Sequence, residues 1–268
     1  MRIAVMGAGG TGGYFGGLLA RAGEDVTFIA RGAHLEAMRN HGLTVKSRVA
    51  GDFTLPVKAS NIPAEIGPVD LVLFCVKTYD TEAAAERIKP IIGPDTVVFS
   101  VQNGIDNWER IGRIVGPETV MCAVAQISSV LEEPGVIADR LGIQAKILLG
   151  ELEGGTSPRA ERLLNTFQHA GIEAELSSKI QVTLWEKFIR ICGFSGVPSL
   201  TRLPIGTILA CAETRNFLRG TLDEVAAVAR AGGIALSADC VERGMTLFAS
   251  MEPHARGSMY YDLAAGRR

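Results

Sequence analysis

Apolar residues come in short unbroken runs through the first two-thirds of this 268-residue chain and at helical spacing through the last third. Ile3-Ala4-Val5-Met6, Asp25 to Ile29, Thr96 to Val101, the long Thr119 to Val130 and Ile172 to Leu176 read as strands. Val69 to Val76 is the most continuous run and predicts a central parallel strand buried on both faces. Leu43 to Lys46 and Phe53 to Val57 are shorter strand-like pieces, and Val136 to Ala138 and Lys146 to Leu149 suggest a mixed sheet edge. Helices are expected from the glycine-rich stretch to Arg21-Ala22, over His34 to Asn40, from Thr81 to Lys89 with a stop at Pro90, and near Arg159 to His169. From about Lys179 the pattern becomes helical without intervening strands, which marks a second domain. There Leu218, Leu222, Val225 and Ala229 form one stripe, and Ser237 is placed to cap a helix carrying Val241, Met245 and Phe248. The pattern predicts an α/β protein with a doubly wound sheet over 1–178 and an all-helical domain over 179–268.

Between the first strand and the first helix, Gly7, Gly9 and Gly12 fit G-x-G-x-x-G, with Ala8, Gly10 and Thr11 between them. The unit is complete: strand, glycine loop, helix, second strand. That context favours a Rossmann-type dinucleotide site over a plain glycine-rich turn. Gly7 permits the tight turn, Gly9 lets backbone approach a pyrophosphate, and Gly12 brings helix and strand together. The helix N-terminus then faces the phosphates with unpaired N–H groups. Arg31 follows the second strand, where an NAD-selective unit would carry an acid, and Glu24 and Asp25 lie at the strand's wrong end. A guanidinium suits a 2′-phosphate, so NADP is preferred to NAD, the alternative being a solvated arginine. Lys77 and Asn103 stand just past carboxyl ends of strands, where this fold places ligands. Lys77 reads equally as a ligand contact or as a loop lysine. Asn103 offers a donor and an acceptor to a carboxamide or hydroxyl, against a ligand-free Asn-Gly turn.

Composition narrows the class. A net charge of −2 without a basic cluster argues against nucleic acid. No apolar run is long enough to span a bilayer, and the N-terminal strand does not read as a signal peptide. Cys75, Cys122, Cys192, Cys211 and Cys240 are scattered and form no C-x-x-C, as expected of buried, reduced thiols in a cytoplasmic protein. His34, His41, His169 and His254 lack metal-ligand spacing and are expected at surface or loop positions, so no metal is anticipated.

The second domain opens with a helix from Ile180 to about Phe194. Ile180, Leu184, Ile191 and Ser195 share a face with Lys187, and Arg190 stands one turn away. Desolvation and a neighbouring cation both disfavour a charged lysine and bring its pKa towards working pH, as a proton donor to a carbonyl requires. A snorkelling lysine is the alternative.

The loop Gly7 to Gly12, Arg31, Lys77, Gln102-Asn103-Gly104 and Trp185-Glu186-Lys187-Phe188 occur in an order that resembles the ketopantoate reductases (2-dehydropantoate 2-reductases) nearly end to end. The resemblance implies NADPH-dependent reduction of 2-dehydropantoate to pantoate, on the route to pantothenate and coenzyme A. It implies Lys187 as proton donor, Asn103 at the nicotinamide or substrate, and Ser258 of Gly257-Ser258-Met259 at the substrate carboxylate. It also implies Arg31 and Lys77 at the cofactor, Ser129 near it, and substrate in a cleft between the domains. The chain departs from the family where Ile191, Ser195 and the Leu203-Pro204-Ile205 stretch stand in place of asparagines. Ser195 is thus the candidate substrate contact on its turn, in a pocket less polar than usual. Gly266-Arg267-Arg268 ends the sequence where the family continues to a glutamate, an expectation of a truncated C-terminus. A reductase of another 2-oxo acid or of an imine, and a non-catalytic NADPH-binding regulator, remain alternatives. The helical domain is expected to pair with a second copy.

Overall fold

The computed structural model describes residues 1–140 and 142–266; the expectation at Arg267-Arg268 lies outside them. Internal contacts divide the chain into Met1–Ile180 and Gln181–Arg268.

The first unit is built on an eight-stranded sheet. Its strands are β1 (Arg2–Met6), β2 (Asp25–Ile29), β5 (Lys58–Ser60), β6 (Val69–Phe74), β7 (Ile92–Ser100), β8 (Val120–Gln126), β11 (Lys146–Gly150) and β12 (Glu173–Leu176). Their order is β12-β11-β8-β7-β6-β1-β2-β5, parallel from β8 to β5 and reversed where β11 meets β8. Alternate residues of each central strand enter different cores: Ile3, Val5, Leu71, Leu73 and Phe99 on one face, Ala4, Met6, Val72, Phe74 and Val98 on the other. Burial of both faces is why these strands read as unbroken apolar runs.

A second sheet, of β3 (Leu43–Lys46), β4 (Phe53–Leu55), β9 (Ser129–Glu133) and β10 (Val136–Asp139), runs in the order β4-β3-β10-β9. The expected long strand Thr119 to Val130 is therefore two strands, broken at Ile127-Ser128 and assigned to different sheets. Val136 to Ala138 likewise leaves the main sheet. An apolar run reports burial and not which sheet supplies the burying partner, so the change of sheet left no mark on the pattern.

The helix α1 (Gly10–Arg21) lies against both sheets. A methyl group on Gly16 would come within 2.6 Å of Phe28 and 2.8 Å of Val5. One on Gly13 would come within 2.6 Å of Ile137, and one on Gly17 within 2.9 Å of Val45. Gly12 and Gly16 thus face the main sheet, while Gly13 and Gly17 face the small one. The remaining helices of this unit are α2 (Gly32–His41), α3 (Thr81–Ile88), α4 (Asn107–Val115) and α5 (Pro158–His169).

The second unit is helical. The helix α6 (Ile180–Ile191) begins at the unit boundary and passes through a π-helical segment, Cys192–Gly196, into α7 (Val197–Thr201); α8 (Ile205–Ala210), α9 (Ala212–Ala231), α10 (Cys240–Ala249) and α11 (Ser258–Ala264) follow. Its core gathers Ile189, Val197, Ile205, Ile208, Leu218, Leu222, Ala226, Met245 and Phe248. The expected stripe of α9 is present: Leu218, Leu222 and Ala229 are buried together with Ala226, and Val225 packs half-buried against the same core. One expectation needs correction. Asp239 is the N-cap of α10, while Ser237 accepts a 2.6 Å hydrogen bond from Arg243. Four cysteines are buried or half-buried, but Cys211 is exposed.

Candidate active site

In the first unit the parallel strands bring their carboxyl ends to one rim, and the candidate residues of that unit stand along it. Gly7 follows β1 with φ +98°, a conformation that a side chain would strain, and a methyl there would lie 2.9 Å from the Val76 nitrogen. A methyl on Gly12 would overlap the Gly7 carbonyl oxygen. The loop is therefore closed by contact between its first and last glycines. Gly9 differs: no atom lies within 4 Å of the position a methyl would take, and its N–H meets no described residue. Open space, a free N–H and the start of α1 are what a pyrophosphate needs. Thr11 sits half-buried in the first turn of that helix.

Gly10 is clasped from the other side. A methyl there would come within 2.7 Å of the Ser129 carbonyl carbon. The Ser129 hydroxyl is buried and lacks a hydrogen-bond partner among the described residues. Ser129 is thus beside the loop, with an orphaned polar group that a ligand could satisfy.

Arg31 is the N-cap of α2, two residues past β2. Its side chain is 78% exposed, and its guanidinium stays 3.7 Å from the Asp80 carboxylate. Asp80 belongs to the turn that follows Lys77, where its N–H donates 2.9 Å to the Lys77 carbonyl. The arginine and the Lys77 turn are therefore neighbours, and both cations are exposed. Asn103 follows β7 with its side chain exposed, while its carbonyl accepts a 2.8 Å hydrogen bond from the Asn107 amide. Gln102, its buried neighbour, accepts from the Ser100 hydroxyl and donates to the Val76 carbonyl at 2.9 Å and the Thr81 hydroxyl at 3.0 Å. Gln102 builds the rim, and Asn103 is presented by it.

Sequence reasoning missed His34. Expected at a surface or loop, it lies half-buried in α2 with one ring nitrogen 2.7 Å from the Ala8 carbonyl and the other accepting from the Gly135 N–H at 2.9 Å. Burial pushes its pKa down. His41, His169 and His254 are exposed as expected.

In the second unit, Lys187 is half-buried on α6. Burial, then the nearby Arg190 guanidinium, push its pKa down to about 8. Burial also lowers Arg190, whose guanidinium makes no hydrogen bond or ion pair with a described residue. Glu186 is taken instead by Arg243 of α10 at 2.5 Å. The expected apolar face needs correction: Ile189 enters the core, whereas Ile191, on the turn after Lys187, is half-buried.

The π-helical segment carries Ser195, and such turns shift the register of every side chain after them. Gly257 packs onto it so closely that a methyl would lie 3.1 Å from the Ser195 hydroxyl. Ser258 follows at the exposed start of α11. Ser195 and Ser258 are thus brought into one locality. Arg256, next to Gly257 in the chain, carried no signal in the sequence. Its guanidinium lies 4.8 Å over the Tyr260 ring, and its Nε is buried without a partner among the described residues.

The first unit presents N–H groups, an orphaned hydroxyl and two cations suited to a phosphorylated dinucleotide. The second presents a lysine poised to exchange a proton near neutrality. Among the described residues no cluster could hold a metal ion, and no helix is long and apolar enough to cross a membrane.

A family model described as ketopantoate reductase PanE/ApbA matches residues 3–154, and the model of its C-terminal part matches 179–268. The crystal structure of 2-dehydropantoate 2-reductase from Geobacter metallireducens GS-15 is 36% identical, with a TM-score of 0.93 over 100% of this chain and 88% of that one. A PanE/ApbA family ketopantoate reductase structure from Ralstonia eutropha JMP134 is 32% identical, with a TM-score of 0.91 over 100% and 87%. The 2-dehydropantoate 2-reductase of Halobacterium salinarum is 30% identical across 100% of this chain and 88% of its own.

Proposed function

The chain belongs to the ketopantoate reductase family, an NADP-dependent oxidoreductase acting on a CH–OH group, and we propose that its reaction is the reduction of 2-dehydropantoate to pantoate. The pathway would be pantothenate and coenzyme A formation. The observation that carries the reading is Lys187, a half-buried lysine whose pKa of about 8 lets it give up a proton at working pH.

When bound, the reduced nicotinamide supplies a hydride to the ketone carbon. The Gly7–Gly12 loop would hold the pyrophosphate at the Gly9 N–H. Arg31 would fork onto the 2′-phosphate, with Lys77 beside it. Asn103 would orient the carboxamide or the substrate hydroxyl, and Ser129 would give its hydroxyl to the bound cofactor. Lys187 would deliver its proton from Nζ to the developing alkoxide oxygen, leaving a neutral amine. Arg190 favours that transfer by repelling the ammonium. Ser258 and Ser195 would bond the polar end of the acid.

Ile191 supports a second reading, a different 2-oxo acid with an apolar group on the side of Lys187. NADPH oxidation against a panel of 2-oxo acids that includes 2-dehydropantoate separates them. Turnover greatest on 2-dehydropantoate supports the first, and turnover confined to another acid replaces it with the second.

We also propose that the helical unit self-associates, because Phe217, Val228 and Leu247 on α9 and α10 are large, apolar and exposed. Sedimentation equilibrium returning only a monomer at micromolar concentration would rule this out.

A further inference from the structure

The histidine between the glycine loop and the small sheet is unexplained by the fold alone. A peptide N–H can only donate, so the Gly135 N–H at 2.9 Å makes His34 Nδ1 an acceptor. Nδ1 then carries no proton, and the proton on Nε2 is donated to the Ala8 carbonyl at 2.7 Å. Burial, which lowers the pKa, agrees with this neutral tautomer.

The Ala8 carbonyl belongs to the peptide plane whose other end is the Gly9 N–H. In a trans peptide the two point in opposite directions. Holding the carbonyl against His34 therefore aims the Gly9 N–H away from α2, and the place a side chain on Gly9 would take has no atom within 4 Å. The second anchor is equally specific. Gly135, with φ +83°, forms the turn between β9 and β10, and its carbonyl accepts from Thr44 of β3 at 2.9 Å. The same β9 supplies the Ser129 carbonyl that clasps Gly10. Loop, helix α2 and small sheet are thus joined through one imidazole.

We propose that His34 is a positioning residue for the cofactor: it fixes the Ala8–Gly9 peptide so that the Gly9 N–H is already aimed at the dinucleotide pyrophosphate before binding. The inference rests on the reading that this loop holds the cofactor. It assigns His34 no contact with substrate and no part in proton transfer. Its loss acts on cofactor affinity, because an unanchored peptide must be ordered when the ligand arrives.

Three variants test it by NADPH titration, by steady-state kinetics and by thermal unfolding without ligand. His34→Ala should raise the Kd and KM for NADPH roughly five- to tenfold, the scale of one neutral hydrogen bond, while kcat at saturating NADPH stays within about twofold. His34→Gln, whose amide NH₂ reaches the place of Nε2, should recover most of that affinity. His34→Asn, which reaches only the place of Nδ1, should not. Thermal unfolding of the Gln and Asn variants separates this from a general loss of stability: equal melting temperatures with unequal NADPH affinity is the expected pattern. The inference is overturned if His34→Ala binds NADPH like the wild type, if Asn restores affinity as well as Gln, or if kcat falls while KM is unchanged. Gly9→Ala serves as the separate check on the loop. Should Gly9→Ala bind NADPH as tightly as the wild type, the loop assignment itself fails and takes this inference with it, whatever the His34 variants do.

Discussion

Gly10 sits against the Ser129 backbone so closely that a methyl group would come within 2.7 Å of the carbonyl carbon, whereas Gly9, one residue earlier, has nothing within 4 Å. Adjacent glycines of one motif therefore serve different ends. Backbone on both sides cannot yield as a flexible side chain can. Gly10→Ala should cost about 1–3 kcal/mol of stability, the scale of overpacking a tight contact. Gly9→Ala should leave the melting temperature unchanged and weaken NADPH binding, because its open space is where the pyrophosphate approaches. Thermal unfolding and NADPH titration of the two variants check the contrast, and equal stability for both would refute it.

Arg31 is exposed and only loosely paired with Asp80, and such surface pairs contribute about 0–1 kcal/mol. Arg31→Ala should therefore leave stability intact. It should weaken NADPH binding by about 1.5–3 kcal/mol, the scale of a charged hydrogen bond, and leave NADH nearly untouched. Equal loss for both cofactors would show that Arg31 does not read the 2′-phosphate.

Lys187 must be protonated to act as an acid. With its pKa lowered from 10.5 to about 8, kcat/KM for reduction should be flat below that value and fall about tenfold per pH unit above it. A profile flat to pH 10 would mean an ordinary lysine. Lys187→Ala should lower kcat by about 10²–10⁴-fold, and unchanged turnover would remove it from the mechanism.

Glu151 receives hydrogen bonds from Ser157, the N-cap of α5, and from Arg159 at 2.6 and 2.8 Å. Its pKa is lowered from 4.5, chiefly by Arg159. A carboxylate whose folded pKa is depressed stabilises above its unfolded pKa and loses that contribution as pH falls through the folded one. Glu151→Gln should therefore lose about 1–3 kcal/mol at pH 7 and progressively less below pH 4.5. Urea unfolding at pH 7 and pH 4 measures the difference, and an equal loss at both would contradict the sign.

The sequence by itself determined the strand–loop–helix unit, the parallel sheet and the change to an all-helical C-terminal segment. Each leaves a local mark: a glycine spacing, runs apolar on both faces, or a loss of strands. It also named Lys187 and its neighbour Arg190, because adjacency on one helix is written in the spacing. Only the tertiary structure decided contacts that join distant parts of the chain. The break after Gln126 sends β9 to a second sheet, and Gly13 and Gly17 face that sheet rather than the first. His34 reaches Gly135 across 101 residues, and Gly257 packs onto the π-helical segment that carries Ser195. Periodicity reports that a residue is buried or turned inward. Which partner buries it depends on strand pairing and helix register, which the chain settles only once it is folded.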